Sequence, residues 1–230
     1  MEFLTILFLI GITAEAMTGA LAAGRERMDL FGVVIVACVT AIGGGSIRDV
    51  LLGHYPLIWV ENPSYLALVA LAAVVTVFVA PLMRHFRVLF LGLDALGLTV
   101  FAIFGARIAL EMGHGVVIAV AAAVITGVFG GVMRDLLCDR VPLVFRHELY
   151  ASVAILAALV YVGLAAAGVP ENWGAAITLV VGFGLRVAAI RFKLGLPVFD
   201  YYQEREQPEH RRPGRRRHRW SIRGWSKDVD

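Results

Sequence analysis

Cysteine is nearly missing from this chain: Cys38 and Cys138 are the only two in 230 residues. Two thiols without metal-ligand spacing make neither a disulfide framework nor a zinc site, and both read as small apolar residues. Histidine is scarce where chemistry would need it. His54, His85, His114 and His147 fall between the long apolar stretches, not inside them. Gly45-Ser46 therefore has no neighbouring base, and it also lacks the following glycine of a nucleophile elbow, which argues against a hydrolytic enzyme. No Gly-Lys-Ser/Thr occurs, so a P-loop is excluded. Short strands of alternating polarity are absent, which excludes a membrane β-barrel. The first apolar stretch lacks a basic start and a cleavage site and is read as a retained helix, not a signal peptide.

What is abundant is apolar surface. Hydrophobic residues make up 59% of the chain and the mean hydropathy is +0.78. Apolar runs of bilayer-spanning length fall over residues 3–23, 31–52, 64–80, 88–108, 114–137, 148–167 and 173–192. The predicted fold class is an all-α membrane protein with seven transmembrane helices. Arg25, Arg27, Arg84, Arg87, Arg140, Arg146, Arg191 and Lys193 sit in every second connection, while the alternate ones hold His54, Glu61, Glu111, His114 and Glu171. The positive-inside rule then places the N-terminus outside and the C-terminus in the cytoplasm of a prokaryotic cell (inner) membrane. Residues 203–230 carry nine basic and five acidic side chains. This tail is expected to be disordered and cytoplasmic, either touching anionic headgroups or only fixing orientation; nucleic acid is not an expected partner.

One phrase occurs twice, 86 residues apart. Thr40-Ala41-Ile42-Gly43-Gly44-Gly45-Ser46-Ile47-Arg48-Asp49 is followed by Pro56-Leu57, and Thr126-Gly127-Val128-Phe129-Gly130-Gly131-Val132-Met133-Arg134-Asp135 by Pro142-Leu143. The register extends outward: Gly11, Thr13, Ala16, Gly19 and Ala20 match Gly97, Thr99, Ala102, Gly105 and Ala106. Such a repeat divides the chain into 1–86, 87–171, a seventh helix over 172–195 and the tail 196–230. Each repeat holds three spans. Three is odd, so the second copy enters the bilayer in the opposite direction, the inverted-repeat plan whose functional path runs near the midplane.

Glycines and charges are both unfavourable in a lipid-facing helix. Gly43, Gly44, Gly45, Gly130 and Gly131 are expected to kink or unwind their helices and free carbonyls as cation ligands; the other reading is close helix packing. Hydroxyls of Thr40, Ser46 and Thr126 would add oxygens. Arg48, Asp49, Arg134 and Asp135 are expected to line an aqueous path or else to lock the bundle. Neighbouring side chains point about 100° apart, so neither arginine is expected to satisfy the aspartate beside it. Asp94 and Arg186, at similar depth, are expected to form an ion pair tying the seventh helix to the repeats. Glu15 is read as either a path-side acid or an internally paired one.

Seven helices, two inverted repeats and the doubled Gly-Gly-x-x-Arg-Asp motif resemble the trimeric intracellular cation (TRIC) channel family, in its prokaryotic branch. The resemblance covers roughly residues 1–200. It implies a homotrimer among membrane lipids, with an hourglass pore in each subunit between the kinked second and fifth helices, passing K⁺ and Na⁺ and needing no cofactor. The motif residues implied are Gly43, Gly44, Gly45, Arg48, Asp49, Gly130, Gly131, Arg134 and Asp135. The Lys-Glu-Val element of animal members, linked to phosphoinositides, is absent here. Inverted repeats are equally the plan of alternating-access carriers, which stays open as the alternative. The orientation is tested by C-terminal fusions: green fluorescent protein should fluoresce and alkaline phosphatase should remain inactive, and the opposite pattern would reverse the assignment.

Overall fold

The computed structural model describes residues 2–82, 86–146 and 149–195. Its helices are α1 (Glu2–Arg25), α2 (Leu30–Leu52), α3 (Ile58–Glu61), α4 (Ser64–Val79), α5 (Phe86–Glu111), α6 (Val116–Leu137), α7 (Ala151–Ala166) and α8 (Glu171–Phe192). All seven expected spans are helical; the single turn α3 was not anticipated. Five of the helices, α1, α2, α5, α6 and α8, are long and apolar enough to cross a membrane. The expected third and sixth spans are shorter, at 16 residues each. At 1.5 Å per residue they reach about 24 Å, less than the ~30 Å hydrocarbon core. Arg84, His85, His147 and the basic tail lie outside the described residues.

The turns repeat as the motif does. Asp29 caps α2, its carboxylate accepting from the Gly32 N–H at 2.7 Å. After α1 the chain turns through Arg27 in the left-handed region (φ 55°), and after α5 through Gly113 (φ 80°). After α2 it turns through Gly53 (φ 69°), and after α6 through Asp139 (φ 52°). Each pair is 86 residues apart. Glycine takes this conformation without strain and aspartate more readily than most, so the Gly53/Asp139 exchange preserves the turn.

Helices α1, α2, α5 and α6 pack together at the centre; α4 lies on α1 and α2, while α7 lies on α5 and α6 and is joined there by α8. The packing uses small side chains. Ala16, Ala37, Ala95, Ala102, Ala106, Ala119 and Ala123 are wholly buried, which lets helix backbones approach where lipid supplies no hydrophobic drive. Gly19 abuts Ala37 and Thr40, and Gly105 abuts Ala123 and Thr126, the same contact one repeat later. Gly11 faces Val100 and Gly97 faces Glu15, so α1 and α5 run antiparallel.

The glycine clusters do not open their helices. Both α2 and α6 remain helical throughout, correcting the expected unwinding. A Cβ at Gly44 would strike the Thr126 carbonyl, and one at Gly130 would strike the Thr40 carbonyl. The glycines thus serve close approach of two backbones whose hydrogen-bond ladders stay intact, which is the cheaper arrangement where water is excluded. Gly44→Ala and Gly130→Ala should each destabilise the protein by roughly 1–3 kcal/mol through overpacking. Gly92→Ala, with nothing within 4 Å of its new methyl, should be neutral or stabilising. Thermal unfolding in detergent compares the three.

Candidate functional site

Both Arg-Asp motifs are buried and lie on either side of the Gly44/Gly130 contact. Near the C-terminal end of α6, Arg134 is fully enclosed. Its Nε donates to Asp135 Oδ1 at 2.9 Å, and Nη1 donates to Asp94 Oδ1 at 2.8 Å and to Thr18 Oγ1 at 3.2 Å. Glu15 Oε2 lies 3.9 Å from the same Nη1. The guanidinium stands 4.8 Å above the Phe90 ring centroid. Tyr150 donates its hydroxyl to Asp94 Oδ1 at 3.2 Å, and the Leu143 N–H donates to Asp135 Oδ2 at 3.0 Å. One guanidinium therefore meets three carboxylates, contributed by α1, α5 and α6. Arg134 Nη2 and Asp94 Oδ2 are buried without a hydrogen-bond partner among the described residues, so the cluster is incompletely satisfied for its depth.

The Arg48 end is poorer in charge. Arg48 Nε and Nη2 donate to Asp49 Oδ1 at 2.9 and 2.6 Å, and Nη1 reaches Thr126 Oγ1 across the helix interface at 3.5 Å. His54 Nδ1 approaches the same Asp49 oxygen at 3.0 Å, and Asp49 Oδ2 has no partner among the described residues. Trp59 Nε1 donates to Ser46 Oγ at 3.1 Å. Two cavities occupy this end. An open one of about 260 Å³ is lined by Leu4, Thr5, Phe8, Ile58, Phe104, Arg107 and other residues. A second, of about 20 Å³, touches Arg48, Thr126 and Gly45 and shares Phe8, Ile58 and Phe104 with the first.

Several expectations need correction. Each arginine does bind the aspartate next to it. The 100° step separates Cβ atoms, but a long arginine stem curls along the helix and brings the fork back to its neighbour. Asp94 takes Arg134, not Arg186, as its ion-pair partner. Arg186 stands 4.7 Å over the Tyr150 ring, so it joins the cluster through a residue whose hydroxyl holds Asp94. Thr40, Ser46 and Thr126 donate to the carbonyls of Val36, Ile42 and Ala122, leaving only their acceptor lone pairs for another group. A Cβ at Gly45 or Gly131 would make ordinary contact with a guanidinium end, 3.7 Å from Arg48 Nη2 and 3.5 Å from Arg134 Nη2; the tight neighbour at Gly131 is the Tyr150 hydroxyl, at 3.2 Å. Glu15 takes its internally paired reading, held by Thr18 at 2.9 Å. Tyr150, Thr18, Phe8, Phe101 and Phe104 were not singled out from the sequence; an aromatic or hydroxyl residue in an apolar run carries no signal until its neighbours are known.

The chain is similar to known membrane proteins over most of its length. A family model described as Glycine transporter matches twice, over residues 5–81 and 91–166. The chain is 38% identical over 193 residues to the UPF0126 inner membrane protein YadS of Escherichia coli K12, covering 83% of this chain and 93% of that one. It is 40% identical over 195 residues to the UPF0126 membrane protein YvgT of Bacillus subtilis, covering 84% and 94%. Among solved structures, it is similar to the TRIC trimeric intracellular cation channel orthologue of Rhodobacter sphaeroides, with a TM-score of 0.81, 39% identity, and coverage of 84% of this chain and 100% of that one. A prokaryotic TRIC channel crystallised in 0.5 M KCl gives a TM-score of 0.79 at 29% identity, covering 85% and 99%.

The unequal charge around the two arginines separates their substitutions. Arg134→Met strands three carboxylates and should cost about 3–5 kcal/mol, the range for breaking a buried pair. Arg48→Met strands one, beside partly exposed His54, and should cost less. Equal losses of thermal stability would contradict this difference.

Proposed function

From the premise that the chain belongs to the family described as Glycine transporter, whose solved members are TRIC cation channels, we propose that it is a monovalent cation channel of a prokaryotic inner membrane, passing K⁺ and Na⁺. Each subunit of a homotrimer carries its own path between α2 and α6. The observation that carries the reading is the paired crossing at Gly44/Thr126 and Gly130/Thr40, which maps onto itself when residue numbers are exchanged by 86. That exchange, together with antiparallel α1 and α5, supports two inverted repeats, 1–86 and 87–171, with α8 added at the side.

The similarity to solved TRIC cation channels supports cations over anions. Around the crossing stand Glu15, Asp49, Asp94 and Asp135 with Arg48, Arg134 and Arg186, carboxylates that attract a cation and arginines that keep the path from becoming strongly acidic. Gly43, Gly44, Gly45, Gly130 and Gly131 allow α2 and α6 to slide or bend at the crossing. Thr40, Ser46 and Thr126 offer lone pairs there. In this reading Arg48 and Arg134 narrow the path electrostatically, and their aspartates offset them. With the N-terminus outside, Arg48-Asp49 faces outward and Arg134-Asp135 faces the cytoplasm.

A carrier is the second reading: the family description as a glycine transporter names it, while the similarity to solved TRIC cation channels weighs against it. Purified protein in planar bilayers should give unitary currents with a reversal potential that follows the K⁺ gradient. Saturable glycine uptake into proteoliposomes without unitary currents would replace the channel with alternating access; silence in both assays would remove both.

A further inference from the structure

The two ends of the crossing are built alike in backbone and oppositely in side chain. Applying the 86-residue register to the cross-helix partners of Arg134 gives their counterparts around Arg48. Asp94 corresponds to Phe8, Glu15 to Phe101, and Thr18 to Phe104. All three polar groups that hold Arg134 from other helices are phenylalanines in the other repeat. These phenylalanines meet one another: Phe8 and Phe104 have ring centroids 5.3 Å apart in an edge-on pair, and Phe8 and Phe101 are 6.5 Å apart. With Arg48 and Thr126 they line the cavity of about 20 Å³, room for one water molecule. Phe8, Phe104 and Ile58 also form the wall of the open cavity of about 260 Å³.

We propose that Phe8, Phe101 and Phe104 form an apolar gate that seals the Arg48 end of the path, whereas the Arg134 end is held by ion pairs. The proposal rests on the reading that α2 and α6 border the path, and adds how one end of it is closed. A hydrated cation arriving in the open cavity meets two phenyl edges and a pocket that admits one water. An aromatic constriction of that size excludes ions because it offers no oxygen to replace lost hydration. Among the described residues Arg48 bonds to Asp49 and Thr126, and the buried Asp49 Oδ2 lies behind the rings, so an entering ion reaches that oxygen once the rings part. Phe8 belongs to α1, while Phe101 and Phe104 belong to α5. Opening therefore requires movement of α1 against α5, the helices whose contacts at the other end are made by the Glu15, Asp94 and Arg134 cluster. That cluster bridges α1, α5 and α6 and restrains the movement.

The gate is tested behind the rings, at Ala41 in the small cavity. Ala41→Cys is made with Cys38→Ala and Cys138→Ala and reconstituted in lipid nanodiscs, with both faces open to a hydrophilic methanethiosulfonate reagent. With the phenylalanines intact, labelling should be slow. Phe104→Thr, the side chain that the other repeat carries at Thr18, should raise the rate roughly tenfold or more by wetting the constriction, while Phe104→Leu, still apolar, should leave it near the starting value. Phe8→Ala provides a second opening variant should Phe104→Thr not assemble. Labelling that is fast with all rings present, or equally fast in Phe104→Thr and Phe104→Leu, would overturn the gate. Bilayer recordings of the same proteins separate the two claims: a parent protein that never conducts defeats the channel reading, while the labelling rates still decide the gate.

Discussion

The contact between α2 and α6 constrains everything around it. Two carbonyls, of Thr40 and Thr126, press against Gly130 and Gly44, so neither glycine tolerates a side chain and the two helices cannot separate without exposing backbone to an apolar medium. The motif residues take their places from that crossing. One turn beyond each tight glycine comes an arginine, its fork in contact with Gly45 or Gly131. The aspartate that follows binds that fork instead of seeking a partner on another helix. Two roles are thus packed into a few residues: close approach and local charge compensation.

Compensation is unequal at the two ends, and this inequality links packing to function. At Arg134 the partners come from α1 and α5 as well as from α6, so the cluster fastens the centre of the bundle. Its satisfaction is incomplete, with Arg134 Nη2 and Asp94 Oδ2 lacking hydrogen-bond partners among the described residues. Buried polar groups left in that state are a standing energetic cost, tolerated most readily where a chain needs mobility or ion contact. At Arg48 the neighbouring helices bring aromatic rings instead. Residues 86 apart keep the backbone crossing and differ in their side chains, which suits the proposed path between two compartments.

Much of the architecture was legible in the residues. The apolar runs located seven helices, five of them long enough to cross a membrane, because a lipid-exposed segment must be apolar along its whole length, and the doubled motif located the crossing because charges and glycines stand out against that background. The turns that recur at Arg27 and Gly113, and at Gly53 and Asp139, share the 86-residue offset but showed themselves only in the backbone. Partnerships were less legible. Asp94 and Arg186 share a depth, but depth does not specify the face of a helix, and Arg134 was nearer. The inference that adjacent residues cannot pair neglected the reach of an arginine side chain. Unwinding at Gly43–Gly45 was expected from intrinsic propensity, yet the packed environment rewards an intact hydrogen-bond ladder more than it penalises glycine.

By itself, then, the sequence determined a helical membrane protein, its duplication, the family to which it is related and the motif at its centre. The helices follow from periodicity and composition, which the solvent imposes one segment at a time; the duplication and the family follow from motif residues that recur in order. Only the tertiary structure decided that the glycines serve contact, that Arg134 gathers three carboxylates, and that three phenylalanines stand where those polar partners would be. Such facts depend on which faces of distant helices meet, and that is set by the sum of many small van der Waals contacts that no local pattern encodes.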